Sequence, residues 1–163
     1  MKNLFTLFAL TVATFYCKAQ TIEETVDYIK LKTASSNLWY TSSSEITTSG
    51  CTGKYNYYFS DITSISYSDN SMVFFNKSCG EFGSLLILLD KIKSIELIEE
   101  KGKKYVALLS SQAFFEVSYE GKKIDPDRSS KIVIYNVDNP EKLLNAYKHL
   151  FKLLKINLVE DKF

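Results

Sequence analysis

Arginine occurs once in the 163 residues, at Arg128, and histidine once, at His149. One guanidinium cannot build the cluster of planar forks that reads phosphate or guanine. The formal net charge is only +1. Together these argue against a nucleic acid or a polybasic membrane contact as partner. Proline occurs twice and glycine six times, which excludes collagen-like chains and Pro/Gly-rich linkers. Cysteine occurs three times, with no C-x-x-C pair and one distant histidine, so no zinc set is expected and no cofactor is indicated. The longest apolar run, Leu4 to Tyr16, is shorter than the roughly 20 residues a spanning helix needs, and no integral membrane span is expected.

What the chain does have is apolar and aromatic. Apolar residues make up 45%, and Tyr and Phe stand at 11 each, a composition that suits packed strands. The length fits one domain.

Residues 1–19 read as a signal peptide. Lys2 gives the positive start, Leu4 to Tyr16 the apolar run, and Cys17-Lys18-Ala19 small residues at −3 and −1. Acylation of Cys17 is the rival reading, disfavoured by the bulky Tyr16 before it. Cleavage leaves residues 20–163 as a single globular domain, exported to the periplasm or secreted. Losing Lys2 and Lys18 takes the 20 basic residues to 18 against 19 acidic, a net charge of −1. Cys51 and Cys79 then remain as an even pair in glycine-flanked loops, which suggests one disulfide in an oxidising compartment. Two unpaired cysteines are the alternative.

The order of elements is helix, strands, helix. Thr21-Ile22-Glu23-Glu24 is a capping box, followed by Ile22, Val26 and Ile29 at helical spacing, with Thr25 and Thr33 on the same side. Residues 41–54 read as a polar loop. Eight strands are predicted, at 55–59, 62–67, 72–75, 85–89, 94–98, 105–109, 114–119 and 131–137. The continuous apolar run Leu85 to Leu89 suits a strand buried on both faces. Asp69-Asn70-Ser71 and Glu100-Lys101-Gly102-Lys103 read as turns, and Glu120 to Ser130 as a polar loop. Asn139 and Pro140 open a last helix whose apolar face carries Leu143, Leu144, Tyr147, Leu150, Phe151 and Leu154. The expected fold is therefore α+β: a bent antiparallel sheet or small barrel of six to eight strands, with an N-terminal helix and a C-terminal helix capping one end. No strand alternates with a helix, which excludes a doubly wound parallel sheet.

Three stretches, Glu24 to Ile29, Leu88 to Leu97 and Asn139 to Leu150, resemble small exported bacterial proteins of unknown function. The layout is also similar to pleckstrin-homology-like domains, in which an amphipathic helix follows a barrel. The basic, Arg-containing loop with which some of those domains bind phosphoinositides has no match here, and the resemblance implies no functional residue.

Catalytic chemistry finds little support. His149 lies beside an apolar helical stripe with no G-x-S-x-G nucleophile motif, so a partly exposed helix residue accounts for it. Glu96, Glu99 and Glu100 near a hairpin read as solvent-facing charges and not as an acid–base pair. Asp125-Pro126-Asp127 lacks the run of oxygen ligands of a calcium loop and reads as a turn. The aromatics are more suggestive. Trp39-Tyr40 follows the first helix, and Tyr55-Asn56-Tyr57-Tyr58-Phe59 puts rings on both faces of one strand. Either the first helix covers the second set or the rings contact a partner. Trp39, Tyr40 and Tyr57 are the candidate binding residues. The expected function is a non-catalytic exported binding or interaction domain, with an envelope or extracellular protein as partner. A small-ligand carrier, for lipid or sugar in a barrel cavity, is the alternative. A carboxylate hydrolase ranks last.

Overall fold

A computed structural model describes residues 20–34, 36–41, 46–48, 51–53, 56–78, 81–124 and 130–159. The signal-peptide reading and Asp125-Pro126-Asp127 fall outside the described residues.

Helix α1 spans Ile22–Thr33 and starts as its capping box requires. The Glu24 amide donates to Thr21 Oγ1 at 3.2 Å and the Thr21 amide donates to Glu24 Oε2 at 3.0 Å. Val26 and Ile29 are buried on one face together with Thr25 and Thr33. Both threonine hydroxyls donate back to helix carbonyls, Thr25 to Thr21 at 2.8 Å and Thr33 to Ile29 at 2.7 Å, so their burial leaves no donor unmet. Helix α2 spans Pro140–Leu153, with the Lys142 amide donating to the Asn139 cap at 3.0 Å. It buries Leu143, Tyr147, Leu150 and Phe151.

The strands are β1 (Asn37–Thr41), β2 (Ile46–Thr48), β3 (Cys51–Gly53), β4 (Asn56–Phe59), β5 (Ile62–Ser68), β6 (Ser71–Ser78), β7 (Glu81–Leu88), β8 (Ser94–Glu100), β9 (Lys103–Leu109), β10 (Phe115–Tyr119), β11 (Lys122–Ile124) and β12 (Lys131–Tyr135). A single 3-10 turn, Leu89–Lys91, separates β7 from β8. The first sheet runs β4-β1-β12-β9-β8 and the second β11-β10-β7-β6-β5, and β2 and β3 form a separate ribbon. All pairings are antiparallel. Three hairpins turn on two residues with positive φ: Asp69-Asn70, Lys101-Gly102 and Glu120-Gly121. That conformation matches the twist of the flanking strands.

The α+β class holds, but the sheets do not close into a barrel. The chain passes from β4 in the first sheet to β5 in the second through Ser60-Asp61, with Asp61 at φ 55°, and among the described residues the edge strands of the two sheets do not pair with each other. Both helices, and not strand-to-strand closure, complete the core. Val26 and Ile29 of α1 and the buried face of α2 join Leu38, Phe59, Ile95, Val106, Leu108, Ile132 and Ile134 of the first sheet. Met72, Phe74, Leu85, Ile87, Phe115 and Val117 of the second belong to the same cluster. Helix α2 packs along β8, β9 and α1 rather than over a barrel mouth.

Among the described residues there are twelve strands where six to eight are expected. The additions are β1, β2, β3 and β11, three of them within or beside segments whose Ser, Thr and Lys content reads as loop. Leu85–Leu89 is not buried on both faces either. Leu85, Ile87 and Leu89 are buried, whereas Leu86 and Leu88 are only half-buried on the other side. Gly83 on β7 marks a close approach: a Cβ there would overlap Asn76 Oδ1 and the Tyr119 ring.

Candidate binding face

The outer face of the second sheet follows from strand alternation. On β6, Met72, Phe74 and Asn76 are buried, so Ser71, Val73, Phe75 and Lys77 point outward. On β7 the buried Gly83, Leu85 and Ile87 leave Phe82, Ser84, Leu86 and Leu88 outside. The register then lays out the face in rows. Ser66 of β5 neighbours Val73, which neighbours Leu86, which neighbours Glu116 of β10. One row on, Ser64 neighbours Phe75, then Ser84, then Ser118. Lys77 and Phe82 stand opposite each other beyond them.

This face is unusual for a solvent-facing antiparallel surface, which is normally polar. Phe82 is 64% exposed and Phe75 40%. Val73, Leu86 and Leu88 behind them are half-buried. Lys77 holds its ammonium 5.2 Å from the centre of the Phe82 ring, a cation–π distance. The backbone under Phe82 is pinned at both ends of the residue. Its amide donates to Glu120 Oε1 at 2.9 Å, and the Glu120 amide donates to its carbonyl at 3.0 Å. Ser84 and Ser118 share a hydrogen bond at 2.7 Å, and Thr63 Oγ1 donates to the Phe75 carbonyl at 3.2 Å. The result is a rigid apolar strip with two rings, rimmed by hydroxyls, by Lys77 and by the carboxylates of Glu116 and Glu120. Among the described residues neither helix lies along these strands beyond isolated contacts.

The residues singled out in the sequence lie elsewhere. Tyr40 pairs with Tyr57, and Trp39 with Tyr58, in the β1·β4 ladder of the first sheet. The side chains of Trp39, Tyr40 and Tyr57 fall outside the described residues. Phe59 of the same segment is fully buried, in the same core cluster as Val26 and Ile29, with its ring centre 6.4 Å from that of Tyr119. Cys51 stands opposite Thr48 in the β2·β3 ribbon, and its pairing with Cys79 lies outside the described residues. Phe75 and Phe82 are not among the residues the sequence singles out. The signal was available: Phe74-Phe75 in one strand must send the two rings to opposite faces.

The acid–base candidates do not converge. Glu96 accepts from Ser94 Oγ at 3.0 Å, Glu99 and Glu100 are exposed opposite Lys104 and Lys103, and Glu99 alternates away from the other two. Lys104 also meets Glu141 of α2 at 2.7 Å. The hydrogen bond and the charge of each partner raise the lysine pKa and lower that of the glutamate. His149 Nε2 lies 3.3 Å from the Gln20 carbonyl at the start of α1. Among the described residues no three His, Cys, Asp or Glu side chains are grouped to hold a metal ion, and no helix is long and apolar enough to cross a membrane. No family model, curated protein or solved structure matches the chain.

Proposed function

We propose that the protein is a non-catalytic exported binding domain that takes an envelope or extracellular protein on the outer face of its second sheet. The observation that carries this reading is the pair of exposed rings, Phe75 and Phe82, on a face whose middle is already apolar. Neighbouring exposed aromatics of this kind mark contact sites, and rigid rings lose little entropy on binding. Lys77 beside Phe82 favours a partner with an acidic group at the rim of its own apolar patch. Export rests on the signal-like residues 1–19, and the reading keeps only one part of the pleckstrin-homology-like layout, the C-terminal helix docked on a strand-built body.

The small-ligand carrier is the weaker reading. Phe59, Phe74, Phe114, Tyr147 and Phe151 are all fully buried, so large rings of the chain itself occupy the core. Capture from the envelope fraction tests the proposal. The tagged protein is expected to retain one stoichiometric protein, and the double variant Phe75→Ser, Phe82→Ser is expected to lose it with an unchanged thermal midpoint. Equal capture by both forms would refute the assignment to this face.

A further inference from the structure

The four sheet edges differ in the chemistry along them. β8 carries Glu96, Glu99 and Glu100, and β11 opens with Lys122-Lys123. Charges along an edge discourage pairing with another chain. β4 is uncharged but has only four residues. β5, the free edge of the second sheet, reads Ile62-Thr63-Ser64-Ile65-Ser66-Tyr67-Ser68, with neither charge nor proline over seven residues.

The hairpin fixes which backbone groups of β5 face outward. Its two-residue turn, Asp69-Asn70, makes Ser68 and Ser71 a hydrogen-bonded pair. Alternation gives Ser66–Val73 and Ser64–Phe75 the same status and turns the N–H and C=O groups of Ile65 and Tyr67 away from β6. Among the described residues no hydrogen bond reaches those outward groups. The Ile65 and Tyr67 side chains are only half-buried at the margin of the core, while Ser64, Ser66 and Ser68 are exposed on the other face.

We propose that this edge pairs antiparallel with β5 of a second copy, joining two second sheets into one continuous sheet across a two-fold axis. An antiparallel strand pair is self-complementary about such an axis. Centred on Ser66, the register sets Ile65 opposite the partner's Tyr67, and the outward N–H and C=O groups of each meet the other. The two inner side chains then form an aromatic–β-branched cross-strand pair that covers both core margins. On the outer face Ser66 meets the partner's Ser66, and Ser64 meets the partner's Ser68, so hydroxyls face hydroxyls. The acidic turn residue Asp69 stands opposite the partner's Thr63, so no like charges stand directly opposite each other along the ladder. The bulge between Ile62 and Ser64 limits the ladder at its other end. A contact this short belongs to the small-interface class, so the dimer is concentration-dependent. It does not depend on the binding role proposed for Phe75 and Phe82.

Sedimentation equilibrium of the purified protein, up to about 1 mM, tests the pairing. The expected result is a monomer–dimer equilibrium. Ser66→Lys, which brings two ammonium groups together at the axis, is expected to weaken the dimer at least about tenfold without lowering the thermal midpoint. Ser64→Lys, facing the partner's Ser68, gives the same reading should the first variant be destabilised. Phe75→Ser, Phe82→Ser is expected to keep the dimer, which separates this edge from the binding face. A protein that stays monomeric throughout, or a dimer that neither lysine variant weakens, overturns the proposal.

Discussion

Tyr147 sits fully buried on α2, and its hydroxyl has no hydrogen-bond partner among the described residues. Burial alone pushes its pKa far above the usual tyrosine value of 10.0. A buried hydroxyl without a partner carries a desolvation cost of about 1–3 kcal/mol, so Tyr147→Phe is expected to leave stability unchanged or raise it by about 1 kcal/mol. The same residue sets a pH dependence. In the unfolded chain the phenol ionises near its ordinary pKa, while in the folded protein it keeps its proton. Stability is therefore intact below pH 10 and falls as the pH rises beyond it. The Phe variant is expected to lose this part of the alkaline destabilisation, as measured by denaturant unfolding on either side of pH 10. A loss of stability in the variant at neutral pH would mean that the hydroxyl is bonded. Tyr147 was legible in the sequence as a core position because of its place on the helical stripe. Its unmet hydroxyl was not, because pattern reports the face and not the partners of a single atom.

At the scale of elements, the helices were read closely and the short strands were not. Helix α1 announces itself with Thr21 and Glu24, and α2 with Asn139 and Pro140, local side-chain chemistry that needs no tertiary partner. β1 exists because β12, from the far end of the chain, pairs with it, whereas β2, β3 and β11 are three-residue strands in local ribbons, too short to show a period. Long-range pairing leaves little trace in a local pattern. The end of α2 was also hidden. The Ile156 amide donates to the Phe151 carbonyl at 2.9 Å and the Lys155 amide to the Lys152 carbonyl at 3.2 Å, a Schellman motif. Lys155 occupies its left-handed position at φ 57°, where glycine is the usual residue. Relief of the left-handed strain outweighs the extra freedom glycine brings to the unfolded chain. Lys155→Gly is accordingly expected to raise stability by about 0.5–1 kcal/mol. A drop in denaturation midpoint would show that the lysine side chain holds the motif in some other way.

At the scale of the molecule, the class of fold follows from the order of periodic segments, but the arrangement of the sheets does not. The sequence presents hairpins, and hairpins suggest neighbours paired in chain order. The molecule instead joins β1 to β12, β12 to β9 and β10 to β7. That cross-connection separates the strands into two sheets, lets both helices fill the core, and leaves the second sheet with an outer face that neither helix covers. The candidate site arises at this level. Phe75 comes from β6 and Phe82 from β7, and only the hairpin register sets them on one face in successive rows, Phe75 opposite Ser84 and Phe82 opposite Lys77. Trp39, Tyr40 and Tyr57, by contrast, were singled out for composition and proximity along the chain. Site-specific photo-crosslinking tests the central claim most directly. Benzoylphenylalanine placed at position 75 or 82, or at Tyr105 of the first sheet, is irradiated in the cell envelope fraction. A common protein adduct from positions 75 and 82, absent from position 105, is the result predicted. An adduct at position 105 with none at 75 or 82 would contradict the account.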